Sequence, residues 1–292
     1  MEQDLSLVHV WWYALCAIAI LNLGLWAISS ASFLRRRNRD LGGYGQRWPH
    51  VLLSAGYVLG CAFRSVLPRA DVQRICVYDS WLSSIVVGRS VATFAELCFA
   101  AQWALILREL SRDHAHETGA LLARFVFPLI FVAELFSWYA VLSTSYLGNT
   151  VEQSIWTATV ALIAVALVPL WRRSEGAQRR FLGLSIAGSV AFVGFMCTVD
   201  VPMYWTRWLA DEASGRTYMT LAQGLHDVST RWLVTYDFPT WREEMAWMTL
   251  YFSLAVWFSI ALTHAPSSRR TLAPPRPQRA AERLSRFASP AE

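Results

Sequence analysis

The sequence predicts an all-α polytopic membrane protein: a bundle of seven transmembrane helices, with the N-terminus outside and the C-terminus cytoplasmic. Three observations carry this expectation. Of 292 residues, 55% are apolar and 16% charged, where soluble domains run nearer a quarter charged. The apolar residues gather in seven runs, each close to the ~20 residues that cross a bilayer core. Arginine is shared unequally between alternate loops, as the positive-inside rule requires.

In chain order the runs cover 8–33, 50–67, 80–107, 119–143, 151–170, 181–204 and 244–263. The first follows an acidic start, MEQDL, and is longer than a signal-peptide core, so it reads as a mature helix. The second is the weakest, being short and interrupted by Arg64. The loops after runs one, three and five and the C-terminal tail hold 18 arginines, against 7 on the alternate face, with Arg89 left inside run three. Trp11, Trp12, Trp81, Trp205, Trp208 and Trp241 mark the expected outer ends, and Trp48 and Trp171 the inner ones, as interfacial belts favour.

Two segments fall outside the runs. Residues 265–292 are rich in Pro and Arg and read as a disordered basic tail beside anionic lipid. Between 206 and 242, Tyr218, Leu221, Leu225, Val228, Trp232 and Tyr236 recur every three or four residues. That period predicts an amphipathic helix at about 217–236, on the outer interface or capping the bundle. Thr240 and Glu243 fit a capping box opening the last span.

All 26 basic residues are Arg. This fits a GC-rich coding sequence, and the expected location is a bacterial inner membrane. Without a Lys amine no Schiff base to retinal or pyridoxal phosphate forms, which excludes an opsin despite the seven runs. The five cysteines are scattered with no CxxC; they read as small core residues, with Cys76, in an expected external loop, the one to test for reactivity. No zinc-protease, nucleotide-binding or serine-hydrolase motif occurs. No cofactor or metal is assigned, and nucleic acid is not an expected partner. Membrane lipid or a hydrophobic small molecule is.

The chemistry-bearing residues are the charges inside the runs: Arg89, Glu96, Glu134 and Asp200. Each costs a few kcal/mol at bilayer depth, about 2.5–3.5 for Arg or Asp, and must face the interior or pair. Arg89, Thr93 and Glu96 stand at i, i+4 and i+7, on one helix face. At 1.5 Å per residue, Arg89, Glu134 and Asp200 lie roughly 8–14 Å below the outer end, and Glu96 roughly 22 Å. Glu152 and Glu244 are expected at the rim, with His226 closing over the cavity.

Three functions compete. A membrane-embedded enzyme acting on a lipid or isoprenoid would use Glu134 and Asp200 as acid and base. Arg89 would hold an anionic headgroup, with Thr93, Glu96 and His226 beside the substrate. A proton-coupled transporter would use Glu96 as an inner relay, though the chain has no internal repeat. A ligand-binding sensor or membrane-complex assembly subunit would need no chemistry.

Overall fold

A computed structural model of the chain describes residues 2–37 and 47–266. Long helices alternate up and down: α1 (Glu2–Arg37), α2 (Trp48–Val66), α3 (Ile85–Asp113), α4 (Glu117–Ser143), α5 (Tyr146–Arg173) and α6 (Gly176–Ala213), then a short α7 (Leu221–Thr230) and α8 (Phe238–Thr263). Three two-residue strands, β1 (Arg69–Ala70), β2 (Ile75–Cys76) and β3 (Leu233–Val234), cap one end of the bundle. β2 pairs antiparallel with β1 and parallel with β3. The tail 267–292 and the segment 38–46 lie outside the described residues.

All these helices except α2 and α7 are long and apolar enough to cross a membrane. Their outward faces carry bare aliphatic side chains, among them Ile20, Ile28, Val165 and Leu184. This is the surface of an integral membrane protein, where lipid takes the place of water. α2 packs against α1, α3 and the end of α8, and leaves Leu52, Leu59 and Val66 on its outer face.

Consecutive helices pack as neighbours, and α8 returns against α1 and α2. Small residues set the spacing. A Cβ added to Gly60 of α2 would come 2.7 Å from the Cβ of Ala95 on α3, the close approach that membrane helices use in place of a hydrophobic drive. One apolar core joins α1, α2 and α8 around Tyr57, Trp241 and Phe252. A second joins α3, α4 and α5 around Ile106, Leu167 and Leu170, toward the opposite end from the strands.

Several sequence expectations are corrected. The amphipathic helix is α7 alone, opened by a capping box between Thr220 and Gln223. Beyond Thr230 the chain extends, because the Leu233 and Thr235 amides donate to the Arg74 and Cys76 carbonyls along β2 and the Tyr236 hydroxyl donates to the Val77 carbonyl. α6 continues past residue 204 to Ala213. α8 starts at Phe238, capped by Asp237, whose carboxylate accepts from the Thr240 amide. Glu243 pairs with Arg207 and closes no box with Thr240. Cys76, in an expected external loop, is fully buried in β2, and burial pushes its thiol up.

Candidate functional site

Arg89, one turn into α3, organises the interior. Its Nη2 donates to Glu96 Oε2 at 3.1 Å and to Glu134 Oε2 of α4 at 2.9 Å. The i, i+7 spacing suffices because the long Arg side chain runs down the helix to meet Glu96. Thr93, between them, donates to the same Glu134 oxygen at 2.6 Å and accepts from the Trp138 indole at 3.1 Å. Tyr251 of α8 donates to Glu96 Oε1 at 2.9 Å. Arg89 Nη1 stands 3.9 Å from Glu152 of α5 and 4.0 Å from Asp71. One guanidinium therefore ties α3 to α4 and reaches toward α5 and the strand cap.

These groups form the polar end of a cavity of about 500 Å³, within the usual size of a small-molecule site. Its far end is apolar, walled by Trp103, Ile130, Ile163, Phe192 and Phe258. Along one side α6 packs on α5. Toward α8 it is met by side chains: the Phe258 ring lies against Gly188, and Arg207 pairs with Glu243 and Glu244.

Two helical irregularities flank the chamber. α6 has a π turn at Met196–Asp200 and α8 another at Tyr251–Ala255. Such turns are frequent at functional sites. The first delivers Asp200 to the cavity and the second delivers Tyr251. Asp200 is 5% exposed and accepts no hydrogen bond from any described residue.

The loop between α2 and α3 folds back into the bundle and supplies the remaining charge. Arg69 Nε donates to Asp71 at 2.9 Å and its Nη1 donates to the Ser84 carbonyl at 2.5 Å. Its guanidinium lies flat on Gly88, occupying the space where any Cβ would stand. Burial pulls the Arg69 guanidinium down to about 10, with Asp71 opposing the fall and Arg64 and Arg89 adding to it. Burial works against the Asp71 charge too, but Arg64, Arg69, Arg89 and Arg74 outweigh it and hold the carboxyl below its ordinary range.

Of the residues expected from sequence, Arg89, Thr93, Glu96 and Glu134 meet in one network, and Asp200 opens on the same cavity from the other side. Glu134, at 2% exposure, is locked on Arg89 and Thr93, behind the cavity wall. Glu152 and Glu244, expected at a rim, are buried and line the chamber. His226 does not close over it: the residue is exposed on α7, beside a shallow external pocket with Tyr218 and Gln223. The reason is that α7 turns Gly224, Asp227 and Val228 inward. Arg64, Arg69 and Asp71 were not expected here. Their only sequence signal is a crowd of charges, Arg64 to Arg74, where a short span meets its loop.

Oxygens of Glu96, Glu134 and Glu152 lie within 4.8 Å of one another and are the ligands a cation would find; Arg89 already bridges two of them. No protein-family model, curated relative or solved structure matches the chain, so geometry alone carries the functional reading.

Proposed function

We propose that this protein is a membrane-embedded enzyme acting on a lipid or isoprenoid. The observation that carries the reading is the two-ended cavity: an apolar chamber between membrane helices that ends in buried charge, with the Asp200 carboxylate open and unpartnered. A substrate chain lies along Trp103, Ile130 and Phe192, and its reacting group reaches the polar end. The seam between α6 and α8 gives lipid a sideways entrance. Asp200 exchanges the proton with the substrate. Glu134 serves from behind the wall by fixing Arg89, and is a positioning residue. In this reading α2 is the seventh span. The arginine asymmetry supports an outward-facing polar end and a bacterial inner membrane.

The test is turnover in proteoliposomes fed a lipid and isoprenoid extract, with headgroup changes followed by mass spectrometry. Asp200→Asn should lower the rate by about 100-fold or more, and Glu134→Gln should lower it less. Activity that survives both substitutions overturns the reading. A retained ligand with no turnover would favour the non-catalytic alternative, a sensor or assembly subunit. Flux that responds to a pH gradient and to Glu96→Gln would favour a proton-coupled transporter.

A further inference from the structure

We infer that the polar end of the cavity is a phosphate site. Arg64, supported by Arg69 and Arg89 around Asp71, receives the phosphate of an anionic lipid whose chain occupies the apolar end. This rests on the lipid reading above and names the headgroup that reading leaves open.

Arg64 carries the argument. It sits in the last turn of α2, is 4% exposed and lines the cavity. Its guanidinium donates no hydrogen bond to any described residue, and its buried Nε is without a partner. The nearest carboxylate oxygen, on Asp71, stands at 3.9 Å. A guanidinium has five N–H donors, and leaving the buried one on Nε unused is costly. The other two arginines lining the chamber each have acceptors: Arg69 has Asp71 and the Ser84 carbonyl, although its buried Nη2 is also without a partner, and Arg89 has Glu96 and Glu134.

The local charge points the same way. Three guanidiniums, those of Arg64, Arg69 and Arg89, lie within 4.0 Å of the one Asp71 carboxylate. The carboxylates of Glu96 and Glu134 are engaged by Arg89, and Glu244 by Gln73, Arg207 and Trp247. Glu152 and Asp200 face the chamber as well, so the anion belongs on the Arg64 side. A phosphate monoester brings a charge of about −1.5 to −2 and three acceptor oxygens. The planar fork of arginine fits such a group two bonds at a time. Gly88 makes the arrangement possible by letting Arg69 lie against α3.

The experiment is native mass spectrometry of the full chain titrated with a polyprenyl phosphate, the polyprenol of equal length, and inorganic phosphate. The wild type should retain the phosphate lipid over the alcohol by about tenfold or more. Arg64→Gln should erase that preference while leaving polyprenol retention and the thermal midpoint unchanged, and Arg64→Lys should keep part of it. Equal retention of the two lipids by the wild type, or an undiminished preference in Arg64→Gln, overturns the phosphate site and leaves the lipid reading standing. Inorganic phosphate that displaces the lipid fully and binds as well alone keeps the phosphate site and removes the lipid reading. Retention of none of the three overturns both.

Discussion

Arg64 and Arg74 are ten residues apart, are 4% and 3% exposed, and flank the same loop, yet they are opposites. Each guanidinium nitrogen of Arg74 donates: Nε to Asp227 at 2.6 Å, Nη1 to the Asp71 carbonyl and Nη2 to the Val141 carbonyl, both at 2.7 Å. Its backbone carbonyl accepts from Leu233, and it holds a left-handed φ of 60° that only surrounding bonds make tolerable for a non-glycine residue. Arg74 thus pins α7 and the end of α4 to the strand cap. Arg64 pins nothing. Burial is equal, so burial does not separate structural from functional charge; unused hydrogen-bonding capacity does.

The contrast is broken or sharpened by substitution. The largest effect is expected for Arg74→Ala, which strands the Val141 carbonyl, leaves Asp227 only Arg231 at 3.4 Å, and should cost about 3–5 kcal/mol in reversible detergent unfolding. Arg64→Gln should leave stability within about 1 kcal/mol or raise it. Equal losses at both positions would erase the distinction. Next comes Gly224→Ala, whose Cβ would stand 2.1 Å from the Leu142 carbonyl oxygen. It should cost about 1–3 kcal/mol and release α7 to proteolysis without altering retention of ligand in the cavity.

A smaller, pH-dependent effect belongs to Asp71. Its carboxyl is held low in the fold, so the stability it adds is complete above the unfolded value of about 3.9 and drains as pH falls through the lower folded value. The difference in thermal midpoint between wild type and Asp71→Asn should be flat from about pH 5 to 8 and narrow in acid. A gap that widens in acid would mean that the arginines do not rely on Asp71. The smallest effect is Tyr251→Phe, which removes one hydrogen bond to Glu96 and should cost about 1 kcal/mol.

Much of the network around Arg89 was legible because one helix face repeats every three or four residues. Four charges had no local excuse for lying in lipid, and three of them, Arg89, Glu96 and Glu134, bond directly. Arg64 was not legible, because an arginine near a span end reads as a boundary marker, and only the third dimension reveals that a loop folds back beside it. The same limit hid Arg69 and Asp71, since no pattern in a loop announces that it enters a bundle. The stripe from Tyr218 to Tyr236 misled for a different reason. Trp232 and Tyr236 are four apart, as in a helix, but they are also both even-numbered, as on one side of a strand. Their side chains bond Asp79 and the Val77 carbonyl from an extended chain.

The two π turns give the interior a fixed angular phase. Each holds one residue more than an α-helix of the same rise, so the segment beyond it is rotated by about 100° from where an unbroken helix would carry it. Apolar periodicity summed through Asp200 or Tyr251 therefore combines two halves out of step, which blurs any single stripe in α6 and α8. Shortening either turn by one residue would leave composition and length almost untouched and act as a dial. On α6 it would rotate Asp200 by about 100° away from its place on the cavity wall. The cavity owes its one carboxylate without a hydrogen bond from a described residue to one surplus residue in a helix.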